Sequence, residues 1–134
     1  MSLCADTSAL LRRYVLEDDS ADCERILESD TDWITARHTW VEVLRNLHRP
    51  LTGSERARIE AIFRSDWSRM AVVELDKETC ESAADLAKAH AVRTLDALHL
   101  AAALRVGAAA FPFVTYDLRQ AAAARKLGLV VLGT

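Results

Sequence analysis

Four acidic residues stand where carboxylate chemistry is possible. Asp6 follows directly on the short apolar run Leu3-Cys4-Ala5, and a helical pattern through Ala9, Leu10 and Tyr14 begins just after it. Asp117 occupies the same kind of position, just past Phe113-Val114-Thr115. Asp96 lies in the stretch from Thr94 to Leu104, which is apolar almost all round and therefore reads as a buried helix. A carboxylate in such a helix is costly unless something pairs with it, and Arg93 and His99 lie one turn away on either side. Glu42 is the weakest of the four by pattern. Trp40, Val43, Leu44 and Leu47 make the apolar stripe of its helix, and Glu42 falls on the opposite, solvated side.

Each acid also has a plainer reading. Asp6 can cap a helix, Asp117 can make a capping pair with Gln120, and Asp96 can pair with Arg93. Taken together they suggest more. Ligands of open α/β sheets bind beyond the carboxyl ends of the strands, and Asp6 and Asp117 both follow strands. Carboxylates gathered there repel one another, and a divalent cation resolves the repulsion. An all-oxygen set without a Cys/His partner group favours Mg²⁺ or Mn²⁺ over zinc. Such a site suits metal-assisted hydrolysis of a phosphodiester, because the ion lowers the pKa of water and stabilises charge on the phosphate.

Placing these acids requires strands alternating with helices, and the chain reads that way. Strands are expected at residues 3–5, 32–36, 70–75, 112–115 and 129–132. Helices are expected from the first acid to about Glu17, from a Ser20 cap through Glu28, and from Thr39 to His48 before Pro50. Thr52 and Glu55 have capping-box spacing and open a fourth helix carrying Ile59, Ile62, Phe63 and Trp67. Another helix starts at Asp76 or Thr79, the next runs from Thr94 to Val106 with Gly107 as its cap, and the last runs from Ala121 to Leu127 before Gly128. The alternation implies a five-stranded parallel sheet with helices on both faces.

The totals set bounds. A chain of 134 residues suggests a single domain, 1–134, and 51% hydrophobic against 28% charged residues argues against disorder. A net charge of -3 counts against binding nucleic acid by bulk charge, though Arg outnumbers Lys and suits local phosphate contacts. Cys4, Cys23 and Cys80 fit neither a disulfide framework nor a zinc site, and read as small buried hydrophobes in a reducing compartment. No basic segment precedes an apolar run at the N-terminus, and no apolar stretch reaches the ~20 residues of a membrane span. A cytoplasmic protein is expected. P-loop, G-x-G-x-x-G, H-E-x-x-H and G-x-S-x-G motifs are absent. His38, His48, His90 and His99 are scattered, and His99 reads as a packing or supporting residue rather than a ligand.

Four segments carry a resemblance. Asp6-Thr-Ser-Ala-Leu, Trp40-Val-Glu42-Val-Leu, Thr94-Leu-Asp96-Ala-Leu-His-Leu-Ala-Ala, and Phe113-Val-Thr-Tyr-Asp117 through Gly128-Leu129 come in the order found in PIN-domain ribonucleases. The chain resembles in particular the VapC toxins of toxin–antitoxin pairs. The resemblance implies a three-layer α/β/α sandwich and an endoribonuclease dependent on Mg²⁺ or Mn²⁺. It assigns Asp6 and Asp96 as core metal ligands, with Glu42 and Asp117 binding a second metal or holding waters on the first. Thr115 and Thr7 would line the site. It also implies a homodimer and a VapB-type antitoxin laid across the site. The third and fourth helices, with Trp40, Leu44, Leu47, Ile59, Phe63 and Trp67, would form the gripping arm. Arg12, Arg13, Arg45 and Arg93 are candidates for RNA phosphate contacts. The competing reading is a non-enzymatic module, either a catalytically idle PIN-like domain or a receiver-like one. In a receiver, Asp76 would stand after the third strand, but the Lys it needs after the last strand is missing.

Overall fold

The computed structural model describes residues 2–107 and 110–134. In chain order the elements are β1 (Ser2–Ala5), α1 (Thr7–Tyr14), α2 (Ser20–Glu28), β2 (Asp32–Ala36), α3 (Thr39–His48), α4 (Gly53–Trp67), β3 (Ala71–Val73), α5 (Lys77–His90), α6 (Thr94–Arg105), β4 (Phe113–Thr115), α7 (Leu118–Lys126) and β5 (Val131–Gly133). The strands form one sheet in the order β3-β2-β1-β4-β5, with every pairing parallel.

The period of two along each strand divides the core. Leu3, Ala5 and Val114 face α1 to α4, where they meet Leu10, Tyr14, Cys23, Leu27, Val43, Leu47 and Phe63. Cys4, Ile34 and Phe113 face the other way, against Leu100 and Ala103 of α6 and Ala123 and Ala124 of α7. Small residues let α5 lie close on α6, through Ala83, Ala97 and Ala101. This is the expected three-layer sandwich.

The strand order explains where a site can form. From β1 the chain builds outward to β2 and β3, then crosses back to place β4 on the other side of β1. The crevice at such a switch point opens at the carboxyl ends of the two central strands. Asp6 and Asp117 are the residues just beyond those ends, the first directly after β1 and the second two residues after β4. The order also removes the receiver-like alternative, whose sheet runs 2-1-3-4-5. Asp76 follows the edge strand β3, accepts from Thr79 N at 3.0 Å as the cap of α5, and pairs with Arg105.

Several local expectations change. Helix α1 ends at Tyr14 rather than Glu17, because Val15 turns extended. Ser20 is the first residue of α2 rather than its cap, and its hydroxyl accepts from Glu17 N at 2.9 Å. Thr52 does cap α4 in position, but its side chain makes no capping hydrogen bond. Cys4 and Cys23 are buried as expected, whereas Cys80 is exposed.

Candidate metal centre and its cleft

Asp6 begins α1, and its side chain is set by three donors. Oδ1 accepts from the Ser8 hydroxyl at 2.6 Å and from Ala9 N at 3.0 Å, and Oδ2 accepts from the Thr115 hydroxyl at 2.6 Å. The capping role is therefore real. The residue is only 3% exposed, and among the described residues no Lys or Arg pairs with it. Burial pushes its pKa above the usual carboxylate range, only partly offset by His99 and by the three hydrogen bonds. A second lone pair of Oδ2 remains unused, and a cation placed there would relieve the cost of burying this charge.

Glu42 turns out to be half-buried, with its side chain directed into the same cleft as Asp6. The expectation of a solvated face fails because α3 packs beside α1 and brings that side of the helix against Thr7 and His99. Thr7 Oγ1 donates to Glu42 Oε1 at 2.7 Å, and His99 Nε2 lies 2.8 Å from the same oxygen. Burial raises the Glu42 pKa, but the hydrogen bonds from His99 and Thr7 and the charge effect of the two histidines outweigh it, so the net shift is downward. Glu42 is ionised at neutral pH.

Asp96 stands in the first turn of α6, where a negative charge is favoured by the helix dipole. Asp117 caps α7 through Oδ1, which accepts from Arg119 N at 2.8 Å and Gln120 N at 3.1 Å. The two acids share one counter-ion. Arg93 Nε donates to Asp96 Oδ2 at 3.2 Å, and its Nη2 lies 3.5 Å from Asp117 Oδ2. The Arg93–Asp96 pair and the Asp117 cap both exist, yet neither takes the acids out of the cleft. Asp6, Thr7, Glu42, Asp96 and Asp117 all line it, and Thr115 braces Asp6 from behind.

The set fits a hard divalent cation. Its donors are carboxylate oxygens, and Glu42 Oε2 accepts no hydrogen bond among the described residues. Asp6 and Glu42 also lack any cationic Lys or Arg partner there. His38, Glu42 and His99 form a second group whose ligand atoms lie within 4.8 Å of one another. Both ring Nε2 atoms are spent, however, His38 on the Leu95 carbonyl at 3.0 Å and His99 on Glu42. Held this way the two rings support Glu42, and the group as a whole is one that could hold an ion.

Of the arginines considered for phosphate contacts, Arg12 and Arg93 line the cleft, Arg12 while paired with Asp19 at 2.9 Å. Arg13 is not among the residues lining that cleft. It is held by Asp66 at 2.8 Å and by Glu24 at 3.0 Å. The expected gripping arm is also partly unavailable, because Leu47 and Phe63 are fully buried. Trp40, Phe63 and Trp67 form an aromatic cluster with ring centroids 5.4 to 5.7 Å apart. His99 takes the supporting role expected of it, on Glu42, whereas Ser8, which braces Asp6, was not singled out by the sequence. The signal for His99 was its place one turn after Asp96 on a helix with no other polar residue between them.

The sequence profile of the PIN domain matches residues 3–126. Ribonuclease VapC45 of Mycobacterium tuberculosis is 32% identical over 121 residues, spanning 85% of this chain and 83% of that protein. Ribonuclease VapC46 of the same species is 32% identical over 127 residues, or 95% of this chain and 93% of that protein. Among solved structures, the sarcin–ricin-loop-cleaving toxin VapC20 of M. tuberculosis superposes with a TM-score of 0.74 at 19% identity, covering 90% of this chain and 94% of that one. A toxin–antitoxin complex from Klebsiella pneumoniae also gives 0.74, at 17% identity, covering 98% and 96%.

Proposed function

Because the chain belongs to the PIN-domain family, and within it to the VapC ribonucleases, we propose that it is the toxin of a type II toxin–antitoxin pair. In this reading it is an endoribonuclease that hydrolyses RNA phosphodiester bonds at a carboxylate-held Mg²⁺ or Mn²⁺ site, and residues 1–134 are one domain of that kind. The observation that carries the reading is the convergence of Asp6, Glu42, Asp96 and Asp117 on one cleft at the switch point of the sheet.

Asp6 and Asp96 are the core ligands, and Glu42 and Asp117 complete the set directly or through water. When bound, the cation lowers the pKa of water and draws off the charge that builds on the phosphate. Thr115, Ser8 and the Ala9 amide hold the Asp6 carboxylate in one rotamer. Arg93 balances Asp96 and Asp117 in the absence of other cations. Once those acids have a divalent partner, its guanidinium, 69% exposed, is free to meet an RNA phosphate. Arg12, which lines the same cleft and is paired with Asp19 at 2.9 Å, is the second candidate for such a contact.

The partner in this reading is a VapB-type antitoxin, since solved neighbours include toxin–antitoxin complexes, and the toxin itself is a homodimer. It acts in the cytoplasm, where its RNA is found, and no helix among the described residues is long and apolar enough to cross a membrane. The test uses purified, antitoxin-free protein with cellular RNA and Mg²⁺ or Mn²⁺. Cleavage is expected, and a chelator, Asp6→Asn and Asp96→Asn should each abolish it. Cleavage that survives all three would overturn the metal mechanism. No cleavage of any RNA, with no growth arrest on expression, would instead favour an idle binding module.

A further inference from the structure

Glu42 is held unevenly. Every hydrogen bond to its carboxylate falls on one oxygen. Oε1 takes the Thr7 hydroxyl at 2.7 Å and His99 Nε2 at 2.8 Å, while Oε2 takes none among the described residues. An ionised carboxylate only accepts, so His99 Nε2 carries a proton and donates it. Each carboxylate oxygen offers about two lone-pair sites, and these two donors fill both on Oε1.

The donor geometry is locked. His99 is 5% exposed and its ring lies 4.0 Å, centroid to centroid, from that of His38 at 41°. His38 is fixed in turn, because a carbonyl only accepts, so His38 Nε2–H must donate to Leu95 O at 3.0 Å. Its Nδ1 is then a bare lone pair, buried with no partner.

We infer that His99 is a positioning residue that, with Thr7, occupies Oε1 of Glu42 and so presents only Oε2 to the cation. The inference rests on the metal-site reading above. It has a consequence for which ion is taken. Mg²⁺ demands near-octahedral geometry and uses single carboxylate oxygens together with water. Ca²⁺ accepts six to eight ligands and readily takes a carboxylate through both oxygens. A Glu42 with one free oxygen therefore selects for the small ions. Freeing Oε1 would open a two-oxygen grip that suits Ca²⁺.

The test is calorimetric titration of Mn²⁺ and of Ca²⁺ into metal-free protein, comparing wild type with His99→Leu, His99→Gln and Thr7→Val. Wild type should prefer Mn²⁺. His99→Leu should weaken Mn²⁺ about 10- to 100-fold, the usual cost of losing a group that orients a ligand, and should narrow the Mn²⁺/Ca²⁺ preference. His99→Gln keeps an N–H donor and should restore much of both. Thr7→Val should move both quantities in the same direction as His99→Leu, and it carries the test if His99→Leu fails to fold. The inference is overturned if Thr7→Val and any folded His99 variant bind both ions as wild type does. It is equally overturned if Mn²⁺ and Ca²⁺ affinities fall together in every variant with the preference unchanged, since that pattern belongs to general loosening. If wild type binds no divalent ion at all, the failure lies in the metal site itself.

Discussion

Thr115 shows how much of this site is decided one residue at a time. It is fully buried, and its hydroxyl donates to Asp6 Oδ2 at 2.6 Å while accepting from Asp117 N at 3.1 Å. One side chain thus ties together the residues that follow the two central strands. Thr115→Val keeps the shape and removes both bonds. Mn²⁺ affinity should fall about 10- to 100-fold, as for other groups that orient a ligand, and Thr115→Ser should recover most of it. Calorimetry with Mn²⁺ reads this directly, and unchanged affinity in Thr115→Val would argue against a bracing role. Asp6 was legible in the sequence because it sits just after a strand, whereas Thr115 was marked only through resemblance. Glu42 was legible only through resemblance, since its helical position pointed to solvent.

At the scale of elements, α1 and α4 are joined by a buried acid that no sequence pattern announced. Asp66 is 4% exposed and accepts from Arg13 Nε at 2.8 Å and the Tyr14 hydroxyl at 2.7 Å, with Arg69 at 3.0 Å. Burial pushes its pKa up, but the bonds from Arg13 and Tyr14 outweigh that and hold it below the usual carboxylate value of 3.8. With a folded pKa below the unfolded one, Asp66 contributes its full stabilisation above about pH 4. That contribution is lost as pH falls through the lower folded value. Asp66→Ala takes its main partner from Arg13, which keeps Glu24, and leaves the buried Tyr14 hydroxyl unpaired, which should cost about 1–3 kcal/mol. Denaturant unfolding between neutral pH and pH 2 should show a shallower acid limb in Asp66→Asn than in wild type. An identical limb would remove Asp66 from the explanation.

The end of the sheet gives a second element-scale prediction. Gly133 of β5 has φ +105 and stands against Thr115, so an added Cβ would collide with the Thr115 carbonyl oxygen and touch the Tyr116 ring at 3.2 Å. Gly133→Ala combines that clash with a strained backbone, which costs on the order of 1–3 kcal/mol. Thermal unfolding should show the loss. Because β4 would have to shift, Mn²⁺ affinity should fall as well, even though Gly133 touches no acid. Wild-type stability in Gly133→Ala would mean that β5 yields freely.

For the whole molecule, the proposed cation site on four acids of one cleft would make folding and cation binding a single equilibrium. Any ion that binds only the folded chain stabilises it by about 2.7 kcal/mol at a hundredfold excess over Kd. The melting temperature should rise with Mn²⁺, fall back with chelator, and respond little to Mn²⁺ in Asp6→Asn. Melting curves indifferent to Mn²⁺ in wild type would count against the site.

The sequence alone determined the alternation of strands and helices, and from it the parallel sheet, because periodicity and capping are local. It also determined that Asp6 and Asp117 lie beyond strand ends, since that is a matter of adjacent residues. Tertiary structure decided the rest. The order β3-β2-β1-β4-β5 made β1 and β4 neighbours and brought their two acids to one crevice. The packing of α3 against α1 and α6 turned Glu42 from a solvated position into one fixed by Thr7 and His99, residues 35 and 57 positions away in the chain. Contacts at that separation leave no periodic trace in a single sequence. They arise only when the core closes and a half-buried charge must find its donors.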